Sequence, residues 1–205
     1  MQDEIKKHTK KIYNKAMSKE HTLIEKIKDI IVEILIIVFA VSLSIWFHNW
    51  SEERHNKKDT IGFLIDLKND LKNDSIAIEN SIEDYKKNIH TLTAKDSSQN
   101  TVFVTTSLNN GNFEGFKSSG KIGHIENNEL RLTLLHYYGK RYTGILSHNN
   151  MANDVLMKVI TEKNVDHKTI VNVYLQEADR NIKHLAADIN TISNTLKLID
   201  KQIAD

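Results

Sequence analysis

Residues 30–50, IIVEILIIVFAVSLSIWFHNW, constrain this chain more than any other stretch. From Ile30 to Phe47 every residue except Glu33, Ser42 and Ser44 is apolar, and no other run in the 205 residues matches it. As a helix rising ~1.5 Å per residue the run covers roughly 27 Å, close to a bilayer hydrocarbon core of about 30 Å. Trp46 and Trp50 then fall at headgroup depth, where an amphipathic indole ring is favoured. The sequence therefore places a transmembrane helix at 29–50. A secretory signal peptide is the main competitor, but its apolar region is shorter and precedes a small-residue cleavage site. This run ends in Trp-Phe-His-Asn-Trp-Ser-Glu-Glu-Arg, a poor cleavage site. An uncleaved anchor is favoured over a signal peptide, and over a buried core helix.

Charge is uneven around that run. Residues 1–28 form a basic amphipathic arm in which Lys6, Lys7, Lys10, Lys11, Lys15, Lys19, Lys26 and Lys28 outnumber four acids. A basic arm before a span reads as cytoplasmic and as a contact for anionic lipid. After the span, Arg54, Lys57 and Lys58 are offset by Glu52, Glu53 and Asp59, so the side taken by the rest of the chain stays open. The net charge of +1 excludes a chain that binds nucleic acid by charge alone. Cysteine is absent, which excludes disulfides, thiolate catalysis and Cys-type zinc sites. Proline is absent too, and most of the seven glycines lie between Gly111 and Gly144. Long uninterrupted helices are therefore expected elsewhere.

Residues 51–205 are expected to form an α-helical soluble domain, and the fold class is all-α. A helix over about 59–95 has Leu64, Leu71, Ile78, Tyr85 and Leu92 at seven-residue intervals, with Leu67, Ile82 and Ile89 between them. The polar run Thr93–Asn100 is its stop. Thr101–Thr106 has strand propensity but is short and isolated. Asn109, Asn110, Gly111 and Asn112 form a turn cluster, and Phe113 and Phe116 suit a helical core. Gly120 reads as a left-handed helix cap, with helices starting near Asn127 and over roughly Tyr142–Thr161. The helix at about 166–204 carries Val171, Leu175, Ala178, Ile182, Leu185, Ile189, Ile192, Leu196, Ile199 and Ile203 at alternating steps of four and three. That stripe calls for a supercoiled partner: either the 59–95 helix packed antiparallel or the same helix of another subunit.

Few residues suggest chemistry. A carboxyl inside an apolar span is costly, so Glu33 must snorkel to the headgroups, support assembly or line a pore. Glu33, Ile37, Ala40 and Ser44 share one helical stripe that His48 extends, and Ala40-x-x-x-Ser44 permits close helix approach. This face argues for a homo-oligomer. Arg131-Leu-Thr-Leu-Leu-His136 fits the R-x4-H spacing of HEPN-type ribonucleases, which are α-helical, and Arg141 and His148 fit a longer R-x6-H. The ordinary alternative is a surface arginine and a helix-boundary histidine. The ten histidines include no H-x3-H or H-E-x-x-H, and no phosphate-binding glycine loop or nucleophile elbow occurs. No metal and no cofactor is implied.

Two blocks carry a resemblance. One is Glu33-Ile-Leu-Ile-Ile-Val with Asn49-Trp50-Ser-Glu-Glu-Arg54; the other is Ser118-Ser-Gly-Lys-Ile, Ile125-Glu-Asn-Asn-Glu-Leu-Arg131 and Tyr137-Tyr138. In these the chain resembles an uncharacterised family of small bacterial single-pass membrane proteins. That family's usual glycine before the acid is Val32 here, and its mid-span glycine is missing. The resemblance implies a bacterial inner-membrane location and no particular activity. The layout also resembles CRISPR accessory membrane proteins that assemble into pores.

The favoured expectation is a non-enzymatic, membrane-anchored protein that self-assembles through its span and its 171–203 stripe. It would act as an oligomeric scaffold, sensor or pore, in stress response or phage defence, with the bilayer and its own copies as partners and any other protein partner unidentified. The alternative is a membrane-tethered ribonuclease using Arg131 and His136, with nucleic acid as partner under that reading alone.

Overall fold

The computed structural model describes the backbone of residues 2–94, 100–162 and 167–204; near the N-terminus it describes the side chains of 10, 11, 13 and 14, and then all from 23 onward. The fold is all-α. Its elements are α1 (Gln2–Ala94), α2 (Gly111–Ser118), a 3-10 turn (Lys121–His124), α3 (Asn128–His136), a π-helical turn (Tyr137–Arg141), α4 (Tyr142–Thr161) and α5 (His167–Ala204). The chain divides into two units at His55–Asn56. Instead of separate helices over 29–50 and about 59–95, α1 runs unbroken through both, in a stretch with no proline and only Gly62 as a weak point. The basic-arm residues Lys6, Lys7, Lys15 and Lys19, residues 95–99 of the expected polar stop and the expected start of α5 at Asp166 lie outside the described residues or side chains.

The second unit is a helical bundle around Leu64, Leu71, Ile78 and Tyr85 of α1, which are fully buried at the expected seven-residue spacing. Its partner is α5 of the same chain. Lys68 pairs with Asp200, Asn181 donates to Tyr85 at 3.1 Å and Asn88 donates to Tyr174 at 2.7 Å, so the two helices run antiparallel. Of the two partners open to the α5 stripe, the structure contains the intramolecular one. Phe113 stacks on Tyr138, with ring centroids 4.4 Å apart, and Phe116 lies against Phe63 at 4.8 Å. Gly120 has φ +74°, the left-handed cap expected of it. Asn127 caps α3 by accepting from the Leu130 amide at 3.0 Å, while its own amide donates to Gln202 at 2.9 Å and ties α3 to the end of α5.

The seam of α5 is rotated from the expected stripe. Tyr174, Ala178, Asn181, Leu185, Asp188, Ile192, Thr195 and Ile199 are buried. Only Ala178, Leu185, Ile192 and Ile199 belong to both sets; Val171, Leu175, Ile182, Ile189, Leu196 and Ile203 are partly buried at its flank. Asp74, Ser81 and Asn88 recur every seven residues along α1 and are buried as well. The bundle thus carries a polar row on each long helix, and most of its members have hydrogen-bond partners within the unit, as burial requires.

The strand-like segment is where many of those bonds end. Val104 and Thr106 are buried while Phe103, Thr105 and Ser107 are exposed, a strand-like alternation with no strand beside it. Two asparagine side chains take the place of the missing strand. The Asn88 amide accepts from the Val102 N–H at 2.8 Å and donates to its carbonyl at 2.7 Å; Asn153 does the same for Val104 at 2.9 and 2.8 Å. Thr106 meets Ser81 at 2.6 Å and accepts from Asn149 at 2.5 Å, and Asn149 in turn accepts from Tyr85 at 2.9 Å. Backbone groups that would otherwise be buried without a partner are satisfied in this way.

Candidate functional site

In the first unit, the apolar window in α1 has a mean hydropathy of 2.7 and none of it is buried. It is the one helix among the described residues long and apolar enough to cross a membrane. Glu33, Ala40 and Ser44 are exposed and, with Ile37, fall within about 60° of one another around the axis. The Ser44 hydroxyl donates to the Ala40 carbonyl at 2.8 Å, so this polar group is satisfied within its own helix while both residues stay small. Trp46 and Trp50 stack with ring centroids 6.5 Å apart, and the Arg54 guanidinium lies 4.9 Å from the Trp50 ring. One turn toward the charged end, His48 lies 3.8 Å from Glu52.

In the second unit, chemistry-bearing side chains gather where α3 gives way to α4. Leu130, Leu134 and Tyr137 are buried with helical spacing, and so are Tyr138, Ile145, Asn149, Ala152, Leu156 and Val159. The two series are out of step by one residue. The π-helical turn absorbs that extra residue and lets adjacent Tyr137 and Tyr138 both face the core. From the end of the turn onward, Arg141, Ile145 and His148 share a face, and His184 and Asp188 of α5 stand one turn apart. With His136 and Lys140 they line a cleft of about 240 Å³. Arg141 forms an ion pair with Asp188, whose side chain is only 7% exposed. A carboxylate so far from water needs such a partner. The His148 and His184 rings lie 5.6 Å apart, with their planes inclined by 30°. Among the described residues no group of three or more His, Cys, Asp or Glu side chains could hold a metal ion.

Beside the cleft lies a buried acid. Asp74 accepts from the Tyr137 hydroxyl at 3.0 Å and from the Asn109 amide at 3.1 Å. Burial pushes its carboxyl up to about 6 despite those two bonds. Burial also pushes the Tyr137 and Tyr138 hydroxyls far above the usual phenol range, and raises Tyr174 to about 12. These tyrosines are neutral: Tyr137 donates to Asp74 and Tyr174 accepts from Asn88, while the buried Tyr138 hydroxyl has no partner among the described residues.

Arg131 and His136 part company on α3. Arg131 donates to Asn128 at 2.7 Å and is not among the cleft residues, whereas His136 lines the cleft. Five residues apart on a helix, they diverge by about 140°. The R-x6-H pair, Arg141 and His148, does share the cleft. Sequence reasoning missed His184 and Asp188, and the one-residue slip in apolar spacing at Tyr137–Tyr138 was the available signal.

No curated protein and no solved structure matches the chain. A sequence family described as a family of unknown function (DUF6090) matches residues 33–94. The matched stretch begins at Glu33 and ends with α1, so it includes the first of the two resembling blocks and leaves out the second, together with the cleft; over that stretch the chain is similar to an uncharacterised family.

Proposed function

We propose that this is a single-pass membrane-anchored helical protein that works by self-assembly rather than by catalysis, as an oligomeric scaffold, sensor or pore. The observation that carries the reading is the apolar run from Ile30 to Phe47, exposed along its length. Such a surface is far larger than a water-facing patch tolerates and suits lipid. The location that fits it is a bacterial inner membrane with the basic N-terminal arm in the cytoplasm, and the roles that suit a small anchored bundle are stress response or phage defence. The stripe on α5 gives assembly less support than its periodicity alone suggests, because Ala178, Leu185, Ile192 and Ile199 are used inside the bundle. Assembly rests instead on the Glu33–Ala40–Ser44 face, whose small residues allow a second helix to approach.

The test is the mass of the detergent-solubilised particle. The wild-type chain is expected to form a discrete oligomer, and Glu33→Leu with Ser44→Leu to shift it to smaller species. A monomeric wild-type particle would remove the assembly reading. Extraction of the protein by alkaline carbonate would remove the anchor itself.

A further inference from the structure

We propose that the cleft between the π-helical turn and α5 is a binding site for a phosphomonoester group. The charge balance of its lining is lopsided. Arg141, Lys140 and the imidazoles of His136, His148 and His184 face one carboxylate, Asp188, which is already engaged by Arg141. Lys140 is in none of the ion pairs among the described residues. The Arg141 guanidinium has donors left over: Asp188 takes an N–H of one terminal nitrogen, and the buried Nε has no acceptor within the structure. A guanidinium carries five N–H donors in a fixed fork, the geometry that suits phosphoryl oxygens.

Metal binding is the competing use of three histidines, but among the described residues no three His, Cys, Asp or Glu side chains converge in an arrangement that could hold an ion. A carboxylate ligand, with two oxygens and one charge, would leave most of these donors idle. A phosphomonoester brings three acceptor oxygens and up to two charges. The volume of about 240 Å³, below the roughly 300 Å³ at which sites for drug-sized ligands begin, suits the phosphoryl group itself, with the rest of the ligand free to extend from the open cleft. The ion pair with Asp188 holds Arg141 in place before anything binds. The π turn fixes the register that brings Lys140 and Arg141 to the cleft.

The same phosphoryl chemistry occurs in free small molecules and in lipid headgroups, so the test has two arms. The full chain in a maltoside detergent and phosphate-free buffer is titrated calorimetrically with glycerol 3-phosphate, then with mixed micelles containing phosphatidic acid. Saturable one-to-one binding is expected in at least one arm. Binding of glycerol phosphate that phosphatidic acid does not displace assigns the site to a free ligand, and displacement or binding in the micelle arm alone assigns it to a headgroup. Lys140→Gln with His136→Gln, both at exposed positions, should weaken binding by about tenfold for each lost contact while the thermal midpoint holds. Arg141→Gln is avoided because it strands Asp188. Lys117→Gln, on α2, should bind as wild type. No saturable binding in either arm, or unchanged affinity in the double variant, overturns the proposal.

Discussion

In the first unit a run of large apolar side chains lies exposed; in the second, Asp74, Ser81, Asn88, Asn149, Asn181 and Asp188 lie buried. Each region would be unfavourable in the other's surroundings. Fully exposed Leu, Ile and Phe side chains forgo roughly 1.5–3 kcal/mol each in water, a cost removed only by a second apolar phase. Buried amides and carboxyls are costly unless their hydrogen bonds are made, and here most are made across helices. The contrast shows that hydropathy places the apolar segment outside the core but does not find the core of the second unit, where polar residues hold the helices in register.

The largest expected effect comes from breaking the apolar side of the contrast. Leu35→Arg with Val38→Arg places two charges near the middle of the run, at roughly 2.5–3.5 kcal/mol each for insertion. Most of the protein should leave the carbonate-resistant membrane fraction. If it stays, the run is not what holds the chain there.

On the polar side, Asn88→Ala strips the N–H and C=O of Val102 of their partner and leaves the Tyr174 hydroxyl without its donor. Unmet buried groups cost about 1–3 kcal/mol each, so a loss of at least 3 kcal/mol is expected in denaturant unfolding. Leu185→Ala, an ordinary core truncation, should cost about 2–5 kcal/mol. If Asn88→Ala were as mild as a surface change, the polar row would be incidental to the fold.

A smaller effect follows from Asp74, whose native carboxyl titrates at about 6. An unfolded aspartate titrates near 3.9, so between those values the native state holds the extra proton. Stability from this group is therefore complete below about pH 4 and declines as pH rises toward 6, by up to about 3 kcal/mol. Asp74→Asn should flatten that slope, as read from denaturation midpoints across the range. A slope unchanged in the variant would assign the pH dependence elsewhere.

These residues also mark how much of the molecule was legible. The helical class, the left-handed Gly120 and the heptad positions of α1 follow from local spacing, although α1 runs on from Gln2 and α2 begins at Gly111, inside the expected turn cluster. The rotation of the α5 seam does not, because Asn181 and Asp188 are buried only by virtue of Tyr85 and Arg141, which are distant in sequence. Thr101–Thr106 shows the same limit: its alternation was readable, but asparagine side chains as its partners were not. The cleft was half visible, in Arg141 and His148. Its other wall depends on the antiparallel packing of α5.

The smallest expected effect tests the polar group in the apolar region. The Ser44 hydroxyl bonds to Ala40 of its own helix, so it offers little to a neighbour, and the asset of this position is its size. Ser44→Ala removes the hydroxyl and keeps the side chain small. Insertion should change by only a few tenths of a kcal/mol, and the particle mass should stay at its wild-type value. Ser44→Leu, which fills the space, should reduce it. If Ser44→Ala disrupts the particle as much as Ser44→Leu does, the hydroxyl bonds across helices, and the first unit uses a buried polar contact as the second does.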